Sequence, residues 1–582
     1  MILTLIRKLF KRRSHSDGTT KPKPKADVKW LVSLIVCLAI PVFLETLDYT
    51  VVATTQPHIA SVFNRLDLQS YIGTSYLLTS TAFLPLFASV ADVFGRHFAL
   101  QLSLLIFIVG SAISTGATSM EAMLAGRGVA GVGAAGLLTV VRVILGDSRS
   151  LDDNNWQVSA IFLLYSIGFI VGPFIGGVLL NASFRWIFAI NLPCCVVSMI
   201  LTFFLIRKKL KGRQGKSLPT NTEDDPINES LAMRLLRIDW IGAALFVAAG
   251  ILILLALNWG SNQGWDSAKV IACFVIGGML LAICIFWEHV LGRERLVFSG
   301  FVEKLKLAEP MIPLSIFRSY DVCAVLAASF VSGMVMLVML YFVAIFMTIV
   351  TGLSPEKAGV QLVYFAPGMG GGSLLSIFMI RYFRQPKYPI IIGSLIVPIA
   401  LGLLSMGMDQ NKQNLVRGFM VMTGPDERLA IVSAMILFAR SLGGTVGLAQ
   451  CAAVLNAKVR NTLASAVTSG VIDPSDAAAL ASAAGHGGLS SVHSIEDLPE
   501  AAKTLVQDAF REGTRWAFVS LIPWAALAFI MTVFLSNIVD TDRDRDRQAH
   551  GDAVPLTPSH ADEDIQMHSY PKSHGSTHQV HP

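Results

Sequence analysis

Apolar blocks of about twenty residues recur along this 582-residue chain, from near residue 30 to near residue 537, and that recurrence constrains the fold more than any motif. A helix of about 20 residues rises about 30 Å, the thickness of the hydrocarbon layer of a bilayer. Charged residues make up 15% of the chain, against about 25% in an ordinary soluble protein, while 53% are apolar and the mean hydropathy is +0.59. The chain therefore reads as an all-α polytopic membrane protein. A soluble enzyme, a nucleic-acid binder and a disulfide scaffold are excluded. The net charge of +6 is no nucleic-acid footprint, because the basic residues are gathered in a few loops between apolar blocks. Cys37, Cys194, Cys195, Cys273, Cys284, Cys323 and Cys451 all fall inside such blocks, where a thiol acts as a small hydrophobe. Neither a disulfide nor a metal site is expected. The apolar run within Met1 to Phe10 is too short to be a signal peptide, which leaves the first span as its own insertion signal.

Thirteen spans are expected, near 30–52, 71–91, 98–117, 121–145, 156–180, 186–206, 239–258, 269–287, 322–349, 358–380, 388–407, 429–456 and 514–537. One further apolar run, Leu415 to Gly424, has ten residues and covers about 15 Å, half a bilayer. Residues 1–29 hold nine Lys/Arg and the 207–238 loop eight. Arg293, Arg295, Lys304, Lys306 and Arg318 fill the 288–321 loop, and Arg381, Arg384 and Lys387 the 381–387 loop. The intervening short loops carry only Arg65, Arg185, Lys357 and Lys412. The positive-inside rule places the N-terminus and the basic loops in the cytosol.

These signals divide the chain into a basic cytosolic tail (1–29), a six-helix bundle (30–206), a charged linker (207–238), two inserted helices (239–287), a cytosolic loop (288–321) and a C-terminal bundle (322–537). Residues 457–513, rich in Ala, Ser and Gly, read as a long extracellular loop with short surface helices. The 538–582 tail, with six histidines from His550 to His581, has the composition of a disordered segment.

Ionisable groups inside spans are costly and mark function. Glu45, Asp48, Arg127, Arg142, Glu288 and Arg440 are the clearest. Span 1 runs outward and span 4 inward, which puts Asp48 and Arg127 at one depth, where each can neutralise the other and a proton or substrate can compete for the carboxylate. The plainer reading is a static pair that joins two helices. Arg142 and Glu288 fall at cytosolic helix ends, where snorkelling accounts for them. In the fifth span Gly168, Gly172 and Gly176 recur every four residues and line one face, open to close approach by another helix. Pro173 bends that helix and Gly177 extends the small-residue run. The tight turn Asp92-Val93-Phe94-Gly95-Arg96-His97 needs glycine for its backbone and charges for its helix ends.

Together these pieces resemble the major facilitator superfamily, and within it the fourteen-span drug:proton antiporter group found in fungi. Leu47-Asp48-Tyr49-Thr50-Val51-Val52 with Pro57 is similar to that group's first-helix motif. Ala88 to His97 is similar to the cytosolic loop motif, departing at Ala88 and Val93, where the family has glycine and arginine. Arg127 to Gly133 is similar to the proton-coupling motif, with Ala130 in place of glutamine, and Gly168 to Gly177 matches the antiporter motif in full. Phe184 to Pro193, Asp239 to Gly242 and Arg440 to Gly447 are further landmarks.

The resemblance covers about residues 40–535 and implies a major facilitator fold, two six-helix bundles around a cavity plus two inserted central helices, working by alternating access. It implies a monomeric, multi-pass plasma-membrane efflux pump that moves protons and a small amphipathic molecule (a secondary metabolite, toxin, glycolipid or drug), with no cofactor. Asp48 and Arg127 would couple to the proton, Gly168 to Gly177 would seal the bundle, Asp92, Gly95 and Arg96 would latch the cytosolic gate, and Arg440 would serve the C-terminal bundle. Related sequences have a full span where this chain has Leu415 to Gly424, about 15–20 residues short by bilayer arithmetic. The reading adopted is fourteen spans with part of one lost from the sequence, against a re-entrant segment.

Other functions fit less well. Gly212-Arg213-Gln214-Gly215-Lys216-Ser217 mimics the end of a P-loop, but Leu210 stands where the first glycine is required and no strand precedes it. A proton-coupled importer of the same fold would lack the complete fifth-span motif. A sensor descended from a transporter would move no substrate. No nucleophile–base or metal-ligand cluster argues for an enzyme.

Overall fold

The computed structural model describes residues 28–146, 183–210, 231–292, 308–423, 433–468 and 500–536, apart from isolated positions, together with eight positions of the fifth span between Leu164 and Leu179. The elements in it are helices. The N-terminal half comprises α1 (Val28–Val62), α2 (Gln69–Ala82), α3 (Leu84–Phe94), α4 (Arg96–Gly116), α5 (Met120–Gly146), the fifth span, α6 (Arg185–Ala189) and α7 (Asn191–Leu205). After α8 (Leu231–Arg237) comes an inserted hairpin, α9 (Trp240–Gln263) and α10 (Ala268–Gly292). The C-terminal half comprises α11 (Tyr320–Ile345), α12 (Ala366–Phe383), α13 (Lys387–Asp409), α14 (Gln413–Met422), α15 (Ser433–Thr468), α16 (Glu500–Val519) and α17 (Ile522–Val533). Among the described residues ten helices are long and apolar enough to cross a membrane, or eleven if α2 and α3 form one broken span.

Each half has its own apolar core. Leu38, Leu104, Phe107 and Ala134 are fully buried in the N-terminal half, and Met334, Val338, Phe346, Leu404 and Phe518 in the C-terminal half. The end carrying the 94–96 turn, α8 and the 308–319 segment is hereafter the basic end. There the halves meet: Leu437 of α15 packs with Leu84 and Phe87 of α3 and Ala135 of α5. The hairpin lies alongside both halves, with Asn258 of α9 donating to Thr74 Oγ1 of α2 (3.3 Å) and Phe246 of α9 against Phe438 of α15 (centroids 5.0 Å).

Several expected boundaries move. The 71–91 span is two helices bent by 45° at Phe83, because Pro85 in the first turn of α3 has no N–H to give the preceding turn. The 358–380 span begins as a short 3-10 turn, Leu362–Phe365, before α12. The 457–513 loop is shorter than expected: α15 continues to Thr468 and α16 begins at Glu500. Val459 and Val506 are buried there and Lys458 pairs with Glu512 at 3.0 Å, so two polar-looking stretches form a helix pair. The last residues of the 207–238 linker are helical too, with Arg234 and Arg237 largely buried. The tail beyond residue 536 lies outside the described residues.

The short run before residue 424 forms α14, folded back on α13 through Asn411 (φ 49°). Val416 and Met420 are buried in the C-terminal core, while Arg417 Nε donates to Gln361 Oε1 at 2.7 Å. Residues 424–432 lie outside the described residues.

Candidate functional site

Asp48 stands on the face of α1 turned into the N-terminal half and is 0% exposed. Arg127 of α5, 1% exposed, donates from Nη1 to Asp48 Oδ2 at 2.6 Å. Antiparallel helices bring them level: a rise of about 1.5 Å per residue turns sequence position into height, and each lies well inside its helix. Three further contacts fix the pair. Asn191 Nδ2 of α7 donates to Asp48 Oδ1 at 3.2 Å, and Arg127 Nε donates to the Ile72 carbonyl at 3.3 Å. The guanidinium lies over the Tyr76 ring (4.3 Å) and near that of Phe188 (5.5 Å). A planar cation in a dry site is held by such aromatic faces as well as by its carboxylate.

Glu45, one turn before Asp48 on α1, faces elsewhere. Its nearest polar contact is Thr46 Oγ1, donating to Oε2 at 3.5 Å, and the charges of Asp48 and Arg142 act on it from farther off. Tyr49, one turn after Glu45 on the same face, meets Tyr341 of α11 in the opposite half.

Gly168, Gly172 and Gly176 are all buried, and the first two lie against α1. A Cβ on Gly168 would stand 2.9 Å from Thr46 Cβ, and one on Gly172 would meet Thr50 Oγ1. Thr46 and Thr50 turn their hydroxyls onto their own helix, donating to the Val42 (2.9 Å) and Thr46 (2.8 Å) carbonyls. The glycine face therefore covers α1 on both sides of Asp48. Pro173 and Gly177 lie outside the described residues.

At the basic end Gly95 joins α3 to α4 with φ 93° and ψ 154°, a conformation open essentially to glycine alone. Arg96 is buried; its Nη1 reaches Asp92 Oδ1 at 2.8 Å and the Ala91 carbonyl at 3.0 Å. These groups tie the turn together, while the contact between the halves just above it is the apolar one through Leu437. Arg440 Nη2 donates to Met336 Sδ at 3.1 Å across the α11–α15 crossing, where Gly443 faces the Phe330 carbonyl.

Glu288 does not snorkel, as its place at a helix end suggested. It is 3% exposed and its Oε1 accepts from the Ile312 N–H at 3.3 Å, because the 308–312 segment folds over the end of α10. Asp239 beside it accepts from the Gly242 N–H (2.8 Å) and from Trp287 Nε1 (3.0 Å), capping α9 and locking it to α10. Arg142 half-buries its side chain on α5 and acts on Glu45 rather than standing clear at a helix end.

Residues 38–295 match the family described as Major Facilitator Superfamily. The match spans the N-terminal half and the inserted hairpin. It is similar to the MFS-type efflux pump LUC4 of Fusarium sp, 27% identical over 556 residues, which cover 91% of this chain and 92% of that protein. The MFS-type transporter ppz2 of Metarhizium majus is 27% identical over 527 residues, covering 87% and 85%. The efflux pump FUS6 of Gibberella fujikuroi is 27% identical over 554 residues, covering 90% and 92%. The partial family match and the ten long apolar helices among the described residues mark a multi-pass membrane protein.

Of the residues singled out in the sequence, the structure brings together Asp48, Arg127 and the Gly168–Gly172 face. Asp92, Gly95 and Arg96 form a separate cluster, and Arg440 a third. Asn191, Tyr76 and Phe188 complete the first cluster and carried no expected role. Asn191 was visible as an amide inside an apolar block, the kind of residue a membrane interior retains only with a partner.

Proposed function

We propose that this protein is a proton-driven efflux transporter of the fourteen-span drug:proton antiporter group. It exports a small amphipathic organic molecule across the plasma membrane by alternating access, as a monomer with its N-terminus and basic end in the cytosol. The observation that carries the reading is the buried charge in the middle of the N-terminal half, the Asp48–Arg127 pair walled by the glycine face of the fifth span. Intramembrane charges of this kind mark ion pathways, and a tight small-residue contact beside them keeps ions from leaking along the helix. The names of the similar fungal proteins LUC4 and FUS6 as efflux pumps support the outward direction.

A gradient moves a transporter only if a group changes charge between its two states, because a ligand shifts an equilibrium by its differential affinity alone. Protonation at the acidic stretch of α1, open to the outside, would favour the inward-opening state. Release of that proton to the cytosol would admit the substrate and return the molecule. Asp92, Gly95 and Arg96 hold the turn that must survive each opening of the basic end, and Arg440 braces the α11–α15 crossing of the other half.

The test is untargeted metabolite profiling of cells and medium in the source organism, with the gene deleted and then restored as wild type or as Asp48→Asn. The expected result is a compound that accumulates inside the deletion strain and returns to the medium only with the wild-type copy. A compound that instead stays outside depleted cells would establish import. Unchanged profiles in every strain would leave a non-transporting sensor.

A further inference from the structure

α1 carries two carboxylates three residues apart, and they occupy different surroundings. Asp48 is sealed: it has no exposure, it is paired with Arg127 at 2.6 Å, and its second oxygen is held by Asn191. Protonating it would break the pair and leave Arg127, itself 1% exposed, as a buried charge without its counter-ion, an expensive arrangement in a low-dielectric interior. Glu45 is only half-buried. Among the described residues it is in no ion pair, and Thr46 at 3.5 Å is its one close polar contact.

The rotation of α1 says where Glu45 looks. Residues four apart share a helix face, so Glu45 and Tyr49 point the same way, and Tyr49 meets Tyr341 of α11. That face is turned toward the other half of the molecule. Glu45 also stands midway along α1, seventeen residues from Val28 and seventeen from Val62. The charged and titratable groups around it are Asp48 and Tyr49 on α1, Arg142 on α5 and Tyr341 on α11. Arg127 acts on Tyr341 from beside Asp48.

We propose that Glu45 is the carboxyl that takes up and releases the transported proton, and that the Asp48–Arg127 pair stays joined beside it as the fixed charges of that site. The proton arrives from water on one side, forms an O–H bond on a Glu45 carboxylate oxygen, and leaves to water on the other side after the halves rock. No ion pair has to break at either step. Asp48, three residues away, keeps its contact with Arg127 at 2.6 Å. This inference rests on the proton-driven reading above, but its test does not.

The experiment is pH-difference infrared spectroscopy of the purified full-length protein, which follows carboxyl groups without needing a substrate. Wild type is compared at mildly acid and mildly alkaline pH with Glu45→Gln, Glu45→Asp and the double variant Asp48→Asn with Arg127→Gln. The expected wild-type spectrum shows a protonated carboxyl band that gives way to carboxylate as pH rises. Glu45→Gln loses that band, Glu45→Asp keeps it at a shifted frequency, and the double variant keeps it. Glu288 is common to all four proteins and cancels between variant and wild type. Persistence of the whole band in Glu45→Gln, its loss in the double variant, or no titrating band in wild type would each overturn the assignment. Because the direction of transport does not enter, failure here leaves the export reading to stand or fall on the metabolite profiles.

Discussion

Arg127 shows what a single residue can demand of its surroundings. Its charge is removed from water and satisfied by Asp48, the Ile72 carbonyl and the Tyr76 ring together. Asp48→Asn withdraws the counter-ion, and breaking a buried pair from one side costs about 3–5 kcal/mol. A lower melting temperature in detergent is expected, with most of the loss recovered when Arg127→Gln is added, because no buried charge then remains. If the double variant melts lower still, the pair stabilises the fold by more than cancelling its own desolvation. Gly95→Ala should cost about 1–3 kcal/mol by the same measurement, since its φ of 93° excludes a side chain. The sequence allowed Asp48 and Arg127 to be placed at one height, because helical rise converts position into depth. It did not reveal rotation: whether Asp48 or Glu45 faced Arg127, and that Asn191 would close the ring, depended on how α1, α5 and α7 turn against one another.

At the scale of elements, apolar period gave the spans, and backbone chemistry moved their ends. Phe83 breaks the second span because of Pro85, a local signal that an apolar count passes over. Residues 457–468 stay helical because Val459 has α16 to pack on, a tertiary fact invisible in an Ala- and Ser-rich stretch. The α11–α15 crossing rests on Gly443, where an added Cβ would come within 2.6 Å of the Phe330 carbonyl carbon. Backbone cannot step aside as a side chain can. Gly443→Ala should therefore destabilise the C-terminal half by about 1–3 kcal/mol, whereas Gly278→Ala, which meets nothing within 4 Å, should leave the melting temperature unchanged. α14 raises a question of topology. α13 leads away from the basic end, yet Leu437 and Phe438, in the first turns of α15, already pack at that end. The chain must therefore recross between Asp409 and Ser433. α14 supplies about 15 Å of that path, and nine residues can add at most about 30 Å. In a background without native cysteines, a membrane-impermeant thiol reagent applied to intact cells should label Lys412→Cys and not Ser433→Cys. Labelling of both from outside would mean that the segment turns back without crossing.

For the whole molecule, the proposed alternating access requires one half to rock against the other, and the inserted hairpin touches both. It cannot keep both contacts through the cycle. Against the N-terminal half, α9 is held at two depths, by Asn258 on Thr74 and at Gly250, where an added Cβ would stand 3.6 Å from Ala82 Cβ. Against the C-terminal half the aromatic contact is Phe246 on Phe438 at the basic end, with Met435 beside it. Two anchors spread along a helix resist rotation better than one cluster at its end, so the hairpin should travel with the N-terminal half and part from α15 when the basic end opens. A disulfide between Phe246→Cys and Phe438→Cys should therefore lock that end shut and stop transport until reductant is added. One between Asn258→Cys and Thr74→Cys should leave transport within about twofold of the reduced protein, since it joins parts that move together. If the second disulfide stops transport and the first does not, the hairpin belongs to the other moving body, and the seam that opens lies between α9 and α2.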